Sequence, residues 1–326
     1  MNLVVTGGSG FIGSNFIDYW ISKHPDDTII NIDKLTYASN RWFNRKAESA
    51  PNYTFKKVDI SDQALIEEVI GEPDCVINFA AESHVDRSIQ DARKFIQSNI
   101  LGVFNLVELA RKRNFRFHQV STDEVYGTLG DNKEEKFTRT SPYNPRNPYS
   151  ATKASADFLV RSYVNTYGIR ATISNCGNNF GPHQHPEKLI PKTILSTLSG
   201  LKIPLYGDGN QIRDWVFVED HCSAIESILS KGRIGETYLV GSDNEVRNID
   251  LVKMILSLLN GNKDQIELVP DRPGHDVRYS LSSQEIRKEL GWNPIHTFEE
   301  SLAKTVKHYI QYAETYAKMT DMNLIK

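Results

Sequence analysis

The sequence predicts an α/β protein: a doubly wound parallel sheet joined to a smaller C-terminal lobe. Three observations carry this. Short apolar runs alternate with amphipathic ones through the first third of the chain, the pattern of parallel strands whose connecting helices cover both faces. A glycine-rich loop, Thr6-Gly7-Gly8-Ser9-Gly10-Phe11-Ile12-Gly13, separates the first strand from the first helix, as in Rossmann-type nucleotide folds. After about Asn175 proline and glycine become frequent and loops lengthen, as at Gly181-Pro182, Gly207-Asp208-Gly209 and Pro270-Asp271-Arg272-Pro273-Gly274. That is the composition of a lobe that grips a ligand with loops.

Leu3–Val5, Ile29–Ile32, Phe55–Val58, Cys75–Phe79 and Phe117–Val120 are short, β-branched or aromatic, and bounded by polar residues. They read as buried strands. Between them Ser14–Lys23, Gln63–Ile70, Phe95–Arg113 and Tyr149–Tyr167 carry helical spacing. Asp214–Val218 and Thr237–Val240 again read as buried strands, so the chain is expected to return to the first sheet. The resulting division is a Rossmann domain over 1–175 with return segments near 211–241, and a second lobe over 176–210 and 242–326.

Composition narrows the function. The 326 residues exceed the ~100–200 of a usual single domain, and with 39% apolar and 24% charged residues the chain can bury a real core. A net charge of −3 gives no footprint for nucleic acid. The cluster Arg111, Lys112, Arg113, Arg116 reads as the basic end of a helix. Apolar runs such as Met1–Thr6 and Val76–Ala81 are too short to cross a bilayer, and the N-terminus shows no signal-peptide pattern. Cys75, Cys176 and Cys222 are scattered, which argues against a disulfide framework and for a cytoplasmic protein.

The glycine loop has a physical reading. Gly7 permits a tight turn, Gly10 lets backbone amides approach a pyrophosphate, and Gly13 lets helix and strand pack closely. The helix N-terminus presents unpaired N–H groups to the anion. Asp33 ends the next strand, 20 residues after Gly13; it can accept from ribose hydroxyls and repels a 2′-phosphate, favouring NAD over NADP. Lys34 beside it pulls the other way. Asp59-Ile60 is placed to meet an adenine edge or, alternatively, to cap the following helix. Phe79-Ala80-Ala81-Glu82-Ser83 follows the fourth strand with small residues that leave room for a cofactor.

Tyr149 and Lys153 stand four apart, on one face of a helix. An ammonium beside a phenol, together with a positive nicotinamide, lowers the phenol from its ordinary ~10 toward working pH. Ser121-Thr122-Asp123-Glu124-Val125-Tyr126-Gly127 follows the fifth strand, where ligands of open parallel sheets sit. Adjacent carboxylates there can separate into an acid and a base; the plainer reading is a solvated turn or helix cap.

With these residues the chain resembles the extended short-chain dehydrogenase/reductase superfamily and, within it, the dTDP-glucose 4,6-dehydratases. The likeness includes Ala80-Ala81-Glu82-Ser83-His84-Val85-Asp86-Arg87-Ser88, Asn178-Asn179, Pro186-Glu187-Lys188-Leu189-Ile190-Pro191, Pro204-Leu205-Tyr206-Gly207-Asp208-Gly209, Arg213-Asp214-Trp215 and Asp271-Arg272-Pro273-Gly274-His275-Asp276. The resemblance implies NAD-dependent dehydration of a nucleotide sugar. Tyr149 takes the 4-hydroxyl proton while hydride leaves C4, Glu124 removes the C5 proton, protonated Asp123 releases the 6-hydroxyl as water, and hydride returns to C6. Thr122 would bond the 4-oxygen, and Lys153 the tyrosine and nicotinamide ribose.

It further implies a cofactor set of Gly7, Gly10, Phe11, Ile12, Gly13, Asp33, Lys34, Leu35, Thr36, Asp59, Ile60, Phe79, Ala80, Ala81, Ser83, Ser98, Tyr149, Lys153 and Asn179. The substrate set is Ser83, Thr122, Asn178, Lys188, Leu189, Pro204, Tyr206, Arg213, Asn248, Arg272 and His275, with Arg213 and Arg272 on the diphosphate. A homodimer would form through the helices Phe95–Arg113 and Tyr149–Tyr167, where Phe104, Leu106, Phe158 and Val164 serve either that contact or the core. The chain departs from the family at Asn175 and Gly177 (usually Arg and Ser around Cys176), at Phe180 and His183 (usually Tyr), at Ser98 (usually Thr) and at Val277 (frequently Arg). These bear on which nucleotide and sugar are accepted. His183 and His185 would share a face on a strand, but no further ligands accompany them and no metal is expected. Alternatives are a UDP-hexose dehydratase or a 4-epimerase on the same scaffold, and a non-catalytic NAD-binding sensor. The Asp123-Glu124 pair favours dehydration, because epimerisation needs no elimination acid and base.

Overall fold

A computed structural model describes residues 1–130 and 132–320. Its strands are β1 (Asn2–Thr6), β2 (Thr28–Ile32), β3 (Tyr53–Lys56), β4 (Cys75–Asn78), β5 (Arg116–Thr122), β6 (Ala171–Cys176), β7 (Asn178–Phe180), β8 (Ile203–Tyr206), β9 (Ile212–Phe217), β10 (Thr237–Val240), β11 (Glu245–Arg247) and β12 (Ile266–Val269). Seven form one parallel sheet in the order β10-β6-β5-β4-β1-β2-β3. The order reverses direction between β1 and β4, and a crevice opens there at the carboxyl ends of the strands.

The longer helices are α1 (Phe11–Lys23), α2 (Gln63–Val69), α3 (Val85–Gln90), α4 (Gly102–Arg113), α5 (Pro148–Tyr167), α6 (Leu189–Leu198), α7 (Val218–Lys231), α8 (Asn248–Leu258), α9 (Gln284–Leu290) and α10 (Phe298–Gln311). Strand alternation sends Leu3 and Val5 into a core with Phe16, Trp20, Ile194 and Ile225. Val4 faces the opposite core, with Leu106, Val107, Ala156 and Val160. Both faces of the sheet are thereby covered, the condition for a parallel sheet.

Two expectations change. Of the two return strands, β10 is the edge of the parallel sheet, but β9 pairs with β7 and β11 in a separate three-stranded sheet. The helix expected over 95–113 is regular only as α4; Ile96–Leu101 is a π turn. It turns Asn99 inward, where its amide bonds the backbone of Glu82 and the Thr152 hydroxyl. Such turns commonly mark functional sites.

The basic cluster is spoken for within the fold. Arg111 pairs with Glu108 and Lys112 with Glu67. Arg116 begins β5 rather than ending the helix, and donates to carbonyls at the end of α7. No helix of the described residues is long and apolar enough to cross a membrane.

Candidate active site

The glycine loop crosses from β1 to α1 under severe crowding. Gly7 has φ +71°, and a Cβ there would lie 2.5 Å from the amide nitrogen of Ala80. A Cβ on Gly13 would lie 2.4 Å from the Gly7 carbonyl oxygen. The loop is thus pressed onto the end of β4, and α1 onto the loop. Gly10, at the N-cap of α1, offers no side-chain cap, so the first helical N–H groups remain available to an anion.

Beyond this loop lies a cleft of about 1480 Å3, part of it open to solvent. Every residue assigned above to the cofactor lines it except Leu35. Leu35 adopts φ +59° in the turn after β2, and its amide donates to Asp33 at 2.8 Å. Asp33 also accepts from the Ser9 amide at 3.0 Å. Burial raises its carboxyl, and these bonds oppose that. Lys34 is engaged by Ser98 at 2.6 Å, Asp59 at 3.5 Å and Glu82 at 3.8 Å, so its charge is already shared with two carboxylates. Asp59 forms a turn with the backbone and hydroxyl of Ser61; the cap of α2 is Asp62. The cradle of small residues, helix N-terminus and strand-end carboxylate fits a dinucleotide.

The chemical residues meet on the opposite wall. Thr122, at the end of β5, caps a 3-10 turn, Asp123–Tyr126, accepting from the Glu124 amide at 3.3 Å and donating to Asp123 at 3.2 Å. The pair is therefore a capped turn, but not a solvated one: Asp123 is 1% exposed and Glu124 is half-buried. Asp123 Oδ2 and Glu124 Oε2 are buried without hydrogen-bond partners among the described residues. Burial first, then the charge of Glu124, holds the Asp123 carboxyl well above the ordinary range. Burial also raises Glu124, but Arg272, Lys188 and Arg213 oppose it. The two neighbours accordingly have different surroundings.

Tyr149 and Lys153 lie on one face of α5, whose start is fixed by a capping box between Asn147 and Ser150 with Pro148 in the first turn. Lys153 donates to the Val120 carbonyl at 2.7 Å. The expected lowering of the phenol is not provided by the chain alone. Burial, then Glu124, Cys176 and Asp123, raises Tyr149 well above its ordinary value.

The substrate set divides. Ser83, Thr122, Asn178 and Lys188 line the cleft, and Lys188 donates to the Ser83 carbonyl at 3.2 Å. Asn178 Oδ1 is buried and unpartnered among the described residues. Leu189, Pro204, Tyr206, Asn248, Arg272 and His275 lie outside the lining. Tyr206 donates to Asp86 at 3.0 Å and Arg272 to the same carboxylate at 3.4 Å, while His275 pairs with Asp271 at 2.6 Å. Arg213, also outside the lining, is buried. Its guanidinium donates to the carbonyls of Ile212, Asp276 and Val277 and lies over Tyr279.

His183 and His185 do not share a strand face. His183, at φ +71°, is stacked on Phe43 and bonded to Ser14 at 2.9 Å behind the glycine loop, whereas His185 lines the cleft. Sequence reading missed Ser39, Gln184 and Glu187 as lining residues. Only Glu187 stood in a quoted motif; the others come from loops that fold over the crevice from distant parts of the chain.

The profile of the GDP-mannose 4,6 dehydratase family matches residues 4–305. A dTDP-glucose 4,6-dehydratase of Neisseria meningitidis is 48% identical, covering 94% of this chain and 93% of that protein. The chain belongs to the dTDP-glucose 4,6-dehydratase family. Among solved structures, this dehydratase from Streptomyces venezuelae (DesIV), with NAD and dTDP bound, superposes with a TM-score of 0.95 at 41% identity, over 98% of this chain and 100% of that one. The dTDP-glucose 4,6-dehydratase of Bacillus anthracis, in complex with NAD, gives 0.91 at 43% identity over the same shares. Family membership makes the cleft above the place to look for dehydratase chemistry.

Proposed function

We propose that the protein removes water from dTDP-glucose to give the nucleotide-linked 4-keto-6-deoxy sugar. The observation that carries this is the Asp123–Glu124 pair, a buried carboxylate beside a half-buried one, with unlike surroundings and facing the same cleft as Tyr149. Bound along the glycine loop, NAD supplies an acceptor for the C4 hydride and the donor that later reduces C6. Gly7, Gly10 and the first amides of α1 hold its pyrophosphate, and Asp33 its ribose.

Tyr149 takes the proton of the 4-hydroxyl, and Thr122 holds the 4-oxygen. Lys153 favours the ionised phenol, as does the positive charge on the nicotinamide. The resulting ketone acidifies the C5 proton, which Glu124 removes; Lys188 and Arg272 favour its ionised form. Asp123, kept protonated by burial and by its neighbour's charge, gives its proton to the departing 6-hydroxyl. Water leaves, and a proton returns to C5 as C6 is reduced. General acid and base groups of this kind contribute ~10²–10⁴-fold each.

In the same reading residues 1–175 with β10 form the cofactor domain, and 176–210 with 242–326 the nucleotide-sugar lobe. β9 belongs to the second lobe by its pairing. The substrate residues outside the cleft lining act where the diphosphate and base extend toward β8 and the 271–275 loop. Three buried free cysteines fit a reducing compartment, the cytoplasm. Leu101, Phe104, Phe158 and Tyr167 are exposed on α4, α5 and the preceding π turn, which favours a homodimer through these helices; Leu106 is core.

The test is incubation with dTDP-glucose and, separately, UDP-glucose in D2O, with products analysed by mass spectrometry. Loss of water with deuterium at C5 from dTDP-glucose is expected. The same product from UDP-glucose alone would move the assignment to a UDP-hexose dehydratase. Interconversion of 4-epimers without water loss would make the protein an epimerase.

A further inference from the structure

Asp157 is a carboxylate the mechanism above leaves unused, and it lies directly behind the catalytic residues. It sits one turn after Lys153 on α5 and is 0% exposed. Its Oδ2 accepts from Ser121 Oγ at 2.8 Å, Tyr143 Oη at 2.9 Å and Asn175 Nδ2 at 3.2 Å. Its Oδ1 is buried without a partner among the described residues. Three elements of the site converge on this one group. Ser121 precedes Thr122 on β5, Asn175 on β6 also donates to the Thr122 carbonyl at 3.1 Å, and α5 itself carries Tyr149 and Lys153.

A buried carboxylate held in this way needs a compensating cation, since an isolated charge in the interior is strongly disfavoured. Among the described residues, the ionisable groups around it are few. Lys153 and Arg161 lie on its own helix, Tyr143 on the loop before α5, Tyr126 on the turn after β5 and Cys176 on β6. Arg161 is committed to Tyr143 Oη at 2.8 Å and Thr237 at 3.2 Å. Asn175, which donates to Asp157 from β6, is a neutral amide and supplies no charge. Lys153, one turn before it on the same helix, has the Val120 carbonyl as its one hydrogen-bond acceptor among the described residues and acts on Asp157 more strongly than Arg161 does. Burial lowers Lys153, and Asp157 is the first influence opposing that; burial raises Asp157, and Lys153 is the first influence opposing that.

We propose that Asp157 is a positioning residue of the reaction: its carboxylate is the buried counter-charge that keeps Lys153 an ammonium, while its three hydrogen bonds hold β5, β6 and α5 in register beneath Thr122. The inference rests on the dehydratase reading only in placing Lys153 under the nicotinamide ribose.

Asp157→Asn removes the charge and keeps the shape and an acceptor oxygen. NAD affinity is measured by calorimetry from about pH 6 to about pH 10, a range reaching the ordinary lysine value. Without its counter-charge Lys153 loses its proton earlier, so the pH at which affinity falls is expected to move toward acid by about one pH unit. Tyr143→Phe, which removes a tether and leaves the charge, is expected to leave that pH in place. An unmoved limb in Asp157→Asn overturns the proposal, as does an equal displacement in Tyr143→Phe, because either shows packing alone at work. Should Asp157→Asn fail to fold, Asp157→Ser makes the same comparison. The titration needs no sugar, so a protein that binds NAD yet leaves dTDP-glucose intact defeats the substrate reading and still decides this one.

Discussion

Replacing Gly13 by alanine inserts a methyl group where the backbone has no room. Its Cβ would stand 2.4 Å from the Gly7 carbonyl oxygen and 2.8 Å from Gly8 Cα. Both are main-chain atoms, so no side chain can swing aside; α1 must retreat from the loop or the loop must deform. Overpacking of this kind costs about 1–3 kcal/mol. If the whole strain falls on the loop that seats the pyrophosphate, NAD affinity drops by about 5- to 150-fold, at ~1.4 kcal/mol per factor of ten. Strain present without ligand appears instead as a lower thermal midpoint. Gly10→Ala is the control for the unfolding measurement, since its Cβ meets only the Gly7 oxygen at 3.3 Å. Its thermal midpoint is expected to fall much less, while its NAD affinity is expected to drop because the methyl group stands where the pyrophosphate approaches. Calorimetric titration with NAD and thermal unfolding of both variants measure the two shares. A Gly13→Ala protein that binds NAD as the parent does and melts at the same temperature would refute the reasoning.

Asp123→Asn retains the shape of the acid without its transferable proton; water elimination is expected to slow by ~10²–10⁴-fold, while NAD affinity, measured by calorimetry, is little changed. Lys188→Met withdraws a positive charge that favours ionised Glu124, so the acid limb of turnover moves to higher pH; a limb that stays fixed in the pH–rate profile refutes the pairing. Asp18, raised by burial to about 6, binds its proton more tightly folded than unfolded. Its contribution to stability is therefore full below about pH 4 and lost as pH rises through about 6. Urea unfolding of wild type against Asp18→Asn across that window should show the wild type losing ground as pH rises.

The sheet was legible because buried parallel strands are short β-branched runs, and because the loop between β1 and α1 needs glycine where backbone meets backbone. Leu3–Val5 and Thr237–Val240 declared themselves by composition alone. Asp214–Val218 has the same composition yet joins the small sheet, since an apolar run records that a strand is buried but not which edge it pairs with. The π turn at Ile96–Leu101 was invisible for a related reason: one extra residue in a helix leaves the apolar spacing almost intact and shows only in where Asn99 points.

By itself the sequence determined which chemical groups the site possesses and the order in which they are strung along the strand ends: the glycine loop, Asp33, Asp123-Glu124, Tyr149 and Lys153. Protonation was decided elsewhere. Asp123 and Glu124 are adjacent in sequence, but what separates them is burial on one side and Arg272 and Lys188 on the other, residues brought in by the 271–275 loop and the start of α6. Asp157 was an ordinary helical residue in the sequence, and only the packing of β5 and β6 against α5 makes it a buried charge behind Lys153. Proton affinities depend on solvent exclusion and on charges that are near in space, and neither is written in the local order of residues.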